Sequence, residues 1–176
     1  MTLIDRQGYA GTTVEQIARE AQVSHTTFFR YFASKEQVII KDDLGGERTR
    51  ALESIPAGLN HFDLLRELVK RIYRLIETDP WASDRRRMEL IFREPELRQA
   101  YQIDCERGLS DATGFFAEYL GVPRDDIRLR VFIAAACGVI LDIAHDVDDD
   151  INGAEMNRIL GAVDLLEQGL PVWSCC

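Results

Sequence analysis

Residues Thr12 to Lys35 read TTVEQIAREAQVSHTTFFRYFASK, and this stretch decides the fold. Thr12 and Glu15 form an S/T-x-x-E pattern, which predicts a capping box at a helix start. Val14, Ile17, Ala18 and Ala21 follow at i, i+3, i+4 and i+7, one apolar face. Ala21-Gln22-Val23-Ser24 then interrupts the pattern. Ser24 suits the N-cap of a second helix, because its hydroxyl accepts from amides left bare at a helix start. Val23 and Phe28 are spaced to close as a hydrophobic staple. Phe28 and Phe32, one turn apart, should face a core, and the opposite face carries His25, Thr26, Phe29 and Arg30. Ser34 and Gln37 repeat the capping-box pattern for a third helix, with Lys35 in its first turn. Two short helices joined by a tight turn, the second polar on one side and aromatic on the other, are the layout of a helix-turn-helix that sets a recognition helix in a DNA major groove.

Within that layout Ser24 and the N-terminal end of the second helix are placed to meet a phosphate or to cap the helix. His25, Thr26 and Thr27 are best placed for base edges, since a threonine can both meet a thymine methyl and hydrogen-bond. A histidine titrates near about pH 6.5, so a mild pH dependence of binding is expected from His25.

At these residues the chain resembles the TetR family of one-component transcriptional regulators. The resemblance is carried by Gly8-Tyr9, Thr12-Thr13-Val14, Ile17-Ala18, Ala21, Val23-Ser24, Thr27-Phe28-Phe29, Tyr31-Phe32 and Ser34-Lys35. It implies an all-α homodimer with an N-terminal DNA-binding head and a C-terminal helical domain for an effector and for dimerisation. It implies phosphate contacts from Thr13, Tyr31 and Lys35. Phe29 stands where the family often has a tyrosine, so packing against the sugar-phosphate edge replaces a hydroxyl contact. The FFRYF wording and the acidic, Arg-rich body resemble actinobacterial members, some of them linked to acyl-CoA sensing. Two departures stand out. Gln22 occupies the position of the family's turn glycine, where a positive φ is easiest for glycine. Only Met1 to Gln7 precede Gly8, which is short for the family's first helix and lacks its basic arm.

Downstream, the reading is helical throughout. A helix is expected from Ser34 to about Glu53 with Gly45-Gly46 in its middle, either as a kink or break or as a hinge between head and body. Phe62, Leu65, Leu68, Val69, Ile72 and Ile76 mark the next helix. Trp81 to Arg93 reads as a shorter one, and Pro95 suits the first turn of another that ends at Gly121-Val122-Pro123. The last two are expected over 124–147 and 152–170, the former apolar around most of its second half. The seam Met156, Ile159, Leu160, Val163, Leu166 and Leu170 seeks a partner. Either both helices fill one core, or they pair with a second copy as a four-helix bundle. Phe62, Tyr73, Met88, Phe92, Tyr101, Phe115, Phe116 and Tyr119 are candidates to line an apolar effector pocket. Arg85-Arg86-Arg87 reads either as a solvated face or as a site for an anionic ligand group.

The organisation expected is a head over residues 1–37, a ligand-binding and dimerisation domain over 38–171 and a flexible tail over 172–176. The net charge of −9 argues against a generic nucleic-acid binder. Residues 1–37 are neutral, with Arg6, Arg19, Arg30 and Lys35 set against Asp5, Glu15, Glu20 and Glu36. Weak non-specific DNA binding follows, because phosphate neutralisation drives that term. The longest apolar run, Val131 to Leu141, is too short for a bilayer, which needs about 20 residues. No signal peptide is seen. Cys105 and Cys137 are expected as buried thiols and Cys175 and Cys176 as exposed ones, in a reducing cytoplasm. His25, His61 and His145 fall in separate elements without metal-ligand spacing. No phosphate-loop, dinucleotide or serine-elbow pattern occurs. Residues 146–150 lack the glycine and closing glutamate of a calcium loop. An enzyme, a metal and a cofactor are therefore not expected. The function expected is a ligand-responsive repressor released from duplex operator DNA by a small hydrophobic or amphipathic effector, acyl-CoA-like in the subgroup the chain resembles. The alternative is a sensor or dimerisation module that has lost DNA binding through its short first helix.

Overall fold

Apolar residues recur at helical spacing along most of the chain, and helices form where they do. The computed structural model describes residues 1–145 and 153–170. Among these, the elements are α1 (Thr2–Gln7), α2 (Val14–Glu20), α3 (His25–Tyr31), α4 (Lys35–Ile40), α5 (Gly45–Glu53), α6 (His61–Thr78), α7 (Arg85–Arg93), α8 (Pro95–Leu120), α9 (Ile127–His145) and α10 (Gly153–Glu167). No strand occurs among the described residues. The segment 146–150, the tail 172–176 and both terminal cysteines lie outside them.

Several local expectations are corrected. The expected long helix from Ser34 is two, α4 and α5, separated at 41–44. Gly45 and Gly46 open α5 rather than sit in mid-helix, and the break lies before them at 41–44. Trp81 precedes α7, in a turn where its amide and that of Ala82 bond the Asp79 carboxylate. Pro95 does begin α8, where its missing N–H costs nothing. Gly121 ends that helix at φ 66°, and the Val122 amide bonds back to Ala117.

By contacts the chain forms two compact units. The first comprises residues 1–42 with 84–104, so α7 and the start of α8 share a unit with α1 to α4. Its core is Tyr9, Ile39, Ile40, Leu90, Ile91 and Leu97, with Met1, Ile4, Met88, Ala100 and Tyr101 packed against it. The short N-terminal helices cannot bury enough surface by themselves, and residues from α7 and α8 complete the core.

The second unit comprises 43–83 and the chain from Cys105 on. Helix α6 starts at Asn60, whose side chain accepts from the Phe62 and Asp63 amides. It buries Leu64, Leu65, Val69 and Tyr73, each burial of that kind being worth about 1.5–3 kcal/mol. It packs on α5 and α10, and α10 packs on α9. Phe116, Leu129, Ile133, Ala136, Ile159 and Val163 fill the space between. Arg66 ties α6 to α10 by bonding Asp164 at 2.7 Å and also Glu167. The Tyr119 hydroxyl donates to the Pro56 carbonyl and accepts from the Leu59 amide, anchoring the turn before α6.

Candidate nucleic-acid interface

The N-cap of α2 is Thr13, one residue later than the sequence pattern suggests. The Gln16 amide donates to Thr13 Oγ1 at 3.3 Å, and the Thr13 amide donates to Gln16 Oε1 at 2.9 Å, a complete capping box. Thr12 is buried instead, its hydroxyl donating to the Gly8 carbonyl at 2.8 Å. Gln7 adds a bond to Gln16 Oε1 at 2.7 Å, a link no sequence pattern announced.

The turn between α2 and α3 is a Schellman motif. The Val23 amide bonds Ala18 and the Gln22 amide bonds Arg19, and Gln22 sits at φ 55° between them. The backbone thus adopts at Gln22 the left-handed conformation that glycine takes most easily.

Helix α3 is capped as expected. Ser24 Oγ accepts from the Thr27 amide at 3.0 Å and lies 2.8 Å from the Thr27 hydroxyl. Phe28 is the buried anchor of α3, with its ring 5.7 Å from that of Phe32. Phe32 is only half-buried, and Val23 is exposed. His25, Thr26, Phe29, Arg30 and Tyr31 form the exposed side, Tyr31 at 62%. The outer face is therefore pre-arranged. The His25 ring meets Phe29 edge-on at 4.7 Å, and its Nε2 lies 3.8 Å from Glu15 Oε1. The Glu15 carboxyl is held below its ordinary value by its own backbone amide, the Thr13 hydroxyl and His25. The Arg30 guanidinium lies 5.0 Å over the Tyr31 ring.

Ser34 caps α4 in position only. Its side chain makes no bond to the helix amides, so the expected box with Gln37 does not form, and its hydroxyl serves Glu36 instead. Lys35 turns inward, with Nζ donating to the Tyr9 carbonyl at 3.1 Å and lying 3.8 Å over the Tyr9 ring. The Tyr9 hydroxyl donates to Glu36 Oε1 at 2.5 Å. Burial pushes the Tyr9 phenol well above its usual range, and Glu36 adds to that. No sequence pattern announces this Tyr9–Lys35–Glu36 knot, although the aromatic and the charges are visible in the sequence. Their apposition depends on a turn whose path the sequence does not display.

The structure gathers Thr13, Ser24, His25, Thr26, Thr27, Phe29, Tyr31 and Lys35 into the α2–α4 segment, with Thr27 and Lys35 already engaged internally. The eight effector-pocket candidates fall in the two units. Phe62, Tyr73, Phe115, Phe116 and Tyr119 belong to the core of the second unit. Met88 and Tyr101 pack on that of the first, with Phe92 5.8 Å from Tyr101. A groove of about 520 Å³ runs between α8 and α9, lined by Leu109, Ser110, Arg124, Ile127 and Val131 among others, and none of those eight lines it. Cys105 and Cys137 are half-buried, not fully buried as expected. Among the described residues no group of three or more His, Cys, Asp or Glu is placed to hold a metal ion.

A capped, core-anchored α3 with a polar outer face, set by a tight turn against α2, defines a protein of the helix-turn-helix class. The chain belongs to the TetR family: residues 1–41 match the profile of bacterial regulatory proteins of the tetR family, and residues 59–171 match that of the MftR C-terminal domain. It is 35% identical over 160 residues to the HTH-type transcriptional regulator TcmR of Streptomyces glaucescens, covering 89% of this chain but 62% of that protein. It is 27% identical over 173 residues to MftR of Mycobacterium tuberculosis, named as a proposed mycofactocin biosynthesis transcriptional regulator, covering 96% of this chain and 85% of that one. No helix of the described residues is long and apolar enough to cross a membrane.

Proposed function

We propose that this chain is a DNA-binding transcriptional regulator, acting as a repressor that a small hydrophobic or amphipathic effector releases from its operator. It works in the cytoplasm, without a catalytic step. The observation that carries this reading is α3, buried through Phe28 and open along His25, Thr26, Phe29 and Arg30. Residues 1–37 read DNA, with His25 and Thr26 at base edges and Thr13, Ser24 and Tyr31 at phosphates. Thr27 and Lys35 are engaged in the cap and the Tyr9 knot in the free chain, and a phosphate contact by Lys35 requires its ammonium to leave the Tyr9 carbonyl. Residues 38–171 hold the effector and the second subunit.

Loss of DNA binding is not favoured. Helix α1 forms, Met1 and Ile4 pack on the core of their unit, and the N-terminal family profile matches from residue 1. For the dimer, the support is an apolar face on α9. Ile127, Val131, Ala134 and Gly138 follow at i, i+4, i+7 and i+11 and are all exposed, as is Leu165 on α10. A large exposed apolar face of this kind marks an interaction surface.

A gel shift tests the function. Purified full chain is mixed at low salt with the duplex upstream of its own coding sequence, and with an unrelated duplex. A retarded band with the first at concentrations that leave the second free is expected. Equal behaviour of the two duplexes, or no band, overturns the reading for that site.

A further inference from the structure

Arg85, Arg86 and Arg87 are consecutive, but they do three different things. Arg85 Nε donates to Glu89 at 2.9 Å, and Arg86 pairs with Asp84 at 3.2 Å. Arg87 is buried, at 4% exposure. Its Nε donates to the Ile39 carbonyl at 2.5 Å, and its Nη2 donates to the Ile40 carbonyl.

Ile39 and Ile40 are the last two residues of α4. The last carbonyls of a helix have no donor within it, and they carry the negative end of its dipole. A rigid, charged guanidinium fork from α7 answers both needs at once. What hangs on α4 makes the contact consequential. Lys35 and Glu36 bind Tyr9 from its first turn. Ile39 and Ile40 bury beside Leu90, Ile91 and Leu97. Only Phe32 to Ser34 separate α4 from α3.

We propose that Arg87 is a positioning residue for DNA recognition: its fork fixes the C-terminal end of α4, and with it the angle at which α3 is presented. Any displacement of α7 that withdraws the fork releases α4. The inference rests on the reading of α3 as the DNA-contacting helix.

The test uses the full chain. A high-affinity duplex is first selected from a random library with the wild-type protein. Its affinity, and that of a scrambled duplex of equal length, are then measured for wild type, Arg87→Met and Arg87→Lys. Arg87→Met should bind the selected duplex about tenfold more weakly, the equivalent of one lost charged hydrogen bond, and the scrambled duplex within about twofold of wild type. Arg87→Lys should recover part of the loss, because an ammonium still donates but lacks the fork. Amide exchange gives a readout free of DNA. The amides of Ile39 to Lys41 should exchange at least about tenfold faster in Arg87→Met, while those of α6 stay unchanged. An equal loss on both duplexes, or unchanged exchange in α4, overturns the proposal. A wild type that selects no duplex sinks the DNA-binding function separately, and the exchange measurement then decides the clamp alone. Should Arg87→Met fail to fold, Arg87→Lys decides: full wild-type affinity and exchange in that variant overturn the clamp.

Discussion

Gln22 holds φ 55° with a side chain that does not favour it. A non-glycine residue in the left-handed region costs roughly 1–2 kcal/mol. Glycine removes that cost but loses more entropy on folding, about 0.4–1 kcal/mol. Gln22→Gly should therefore stabilise the protein by about 0.5–1 kcal/mol, read as a higher denaturant midpoint at unchanged slope. A lower midpoint would mean that the glutamine side chain contributes contacts that outweigh the strain. This residue was legible in the sequence, because a glutamine stood where a turn wants glycine. The charge at Glu36 was not. Burial alone would raise its carboxyl, yet hydrogen bonds from Ser34, Tyr9 and its own backbone amide, with the charge of Lys35, hold it below the ordinary 4.5. A folded value depressed below the unfolded one contributes stability that is present above the unfolded value and is lost as pH falls through the folded one. Stability carried by Glu36 should therefore decline below about pH 4.5, and Glu36→Gln should be less stable at neutral pH with a shallower acid-side loss. Parallel acid-unfolding curves for the two proteins would remove Glu36 from the account.

Among the elements, the helix-turn-helix was the most legible, because each of its starts carries its own cap and its apolar residues keep helical spacing. One boundary there moved by a single residue, with Thr13 and not Thr12 as the N-cap, while Phe32 is only half-buried and Val23 exposed. Two threonines in a row offer the same chemistry, and only the burial of Thr12 under Gly8 separates them. The break after α4 was harder to place. Glycines are poor helix interiors, so the pair at 45–46 drew the break to itself, whereas the chain turns at 41–44 and the glycines begin α5. A Cβ at Gly45 would meet nothing within 4 Å, and one at Gly46 only the far end of Arg50 at 4.0 Å. Replacing both with alanine should therefore stabilise α5 without a clash, by about 1 kcal/mol in total, since glycine costs about 0.8–1.0 kcal/mol against alanine in a helix interior and less in a first turn. Thermal unfolding checks the sum. Operator affinity of the same variant addresses the hinge: a loss of effector response with DNA affinity intact would show that the freedom of these glycines is used.

At the scale of the molecule, the sequence pattern located the helices but not their grouping. Nothing in the spacing of Met88 to Leu97 shows that α7 shares a core with Tyr9 and Ile39, because hydrophobic periodicity names the buried face and not its partner. For the same reason the effector-pocket candidates are distributed over both cores. Self-association is argued from the opposite observation, apolar residues without a partner. Val131 is 60% exposed and Ile127 66%, on a face of α9 that also carries Ala134 and Gly138, small enough to let a second helix approach closely. Two-fold pairing would bring this face against its own copy. Val131→Glu should then place a carboxylate from each subunit in a desolvated seam, where an unpaired charge is strongly disfavoured. The expected result is a dimer dissociation constant raised by at least about tenfold in sedimentation, as 1.4 kcal/mol would give. The helical content should not change, because the side chain is exposed in the single subunit. Operator affinity should fall further than the monomer fraction alone explains, because a dimer joins two half-site contacts into one binding event. A Val131→Glu protein that stays dimeric at the wild-type concentration would move the subunit contact away from this face of α9.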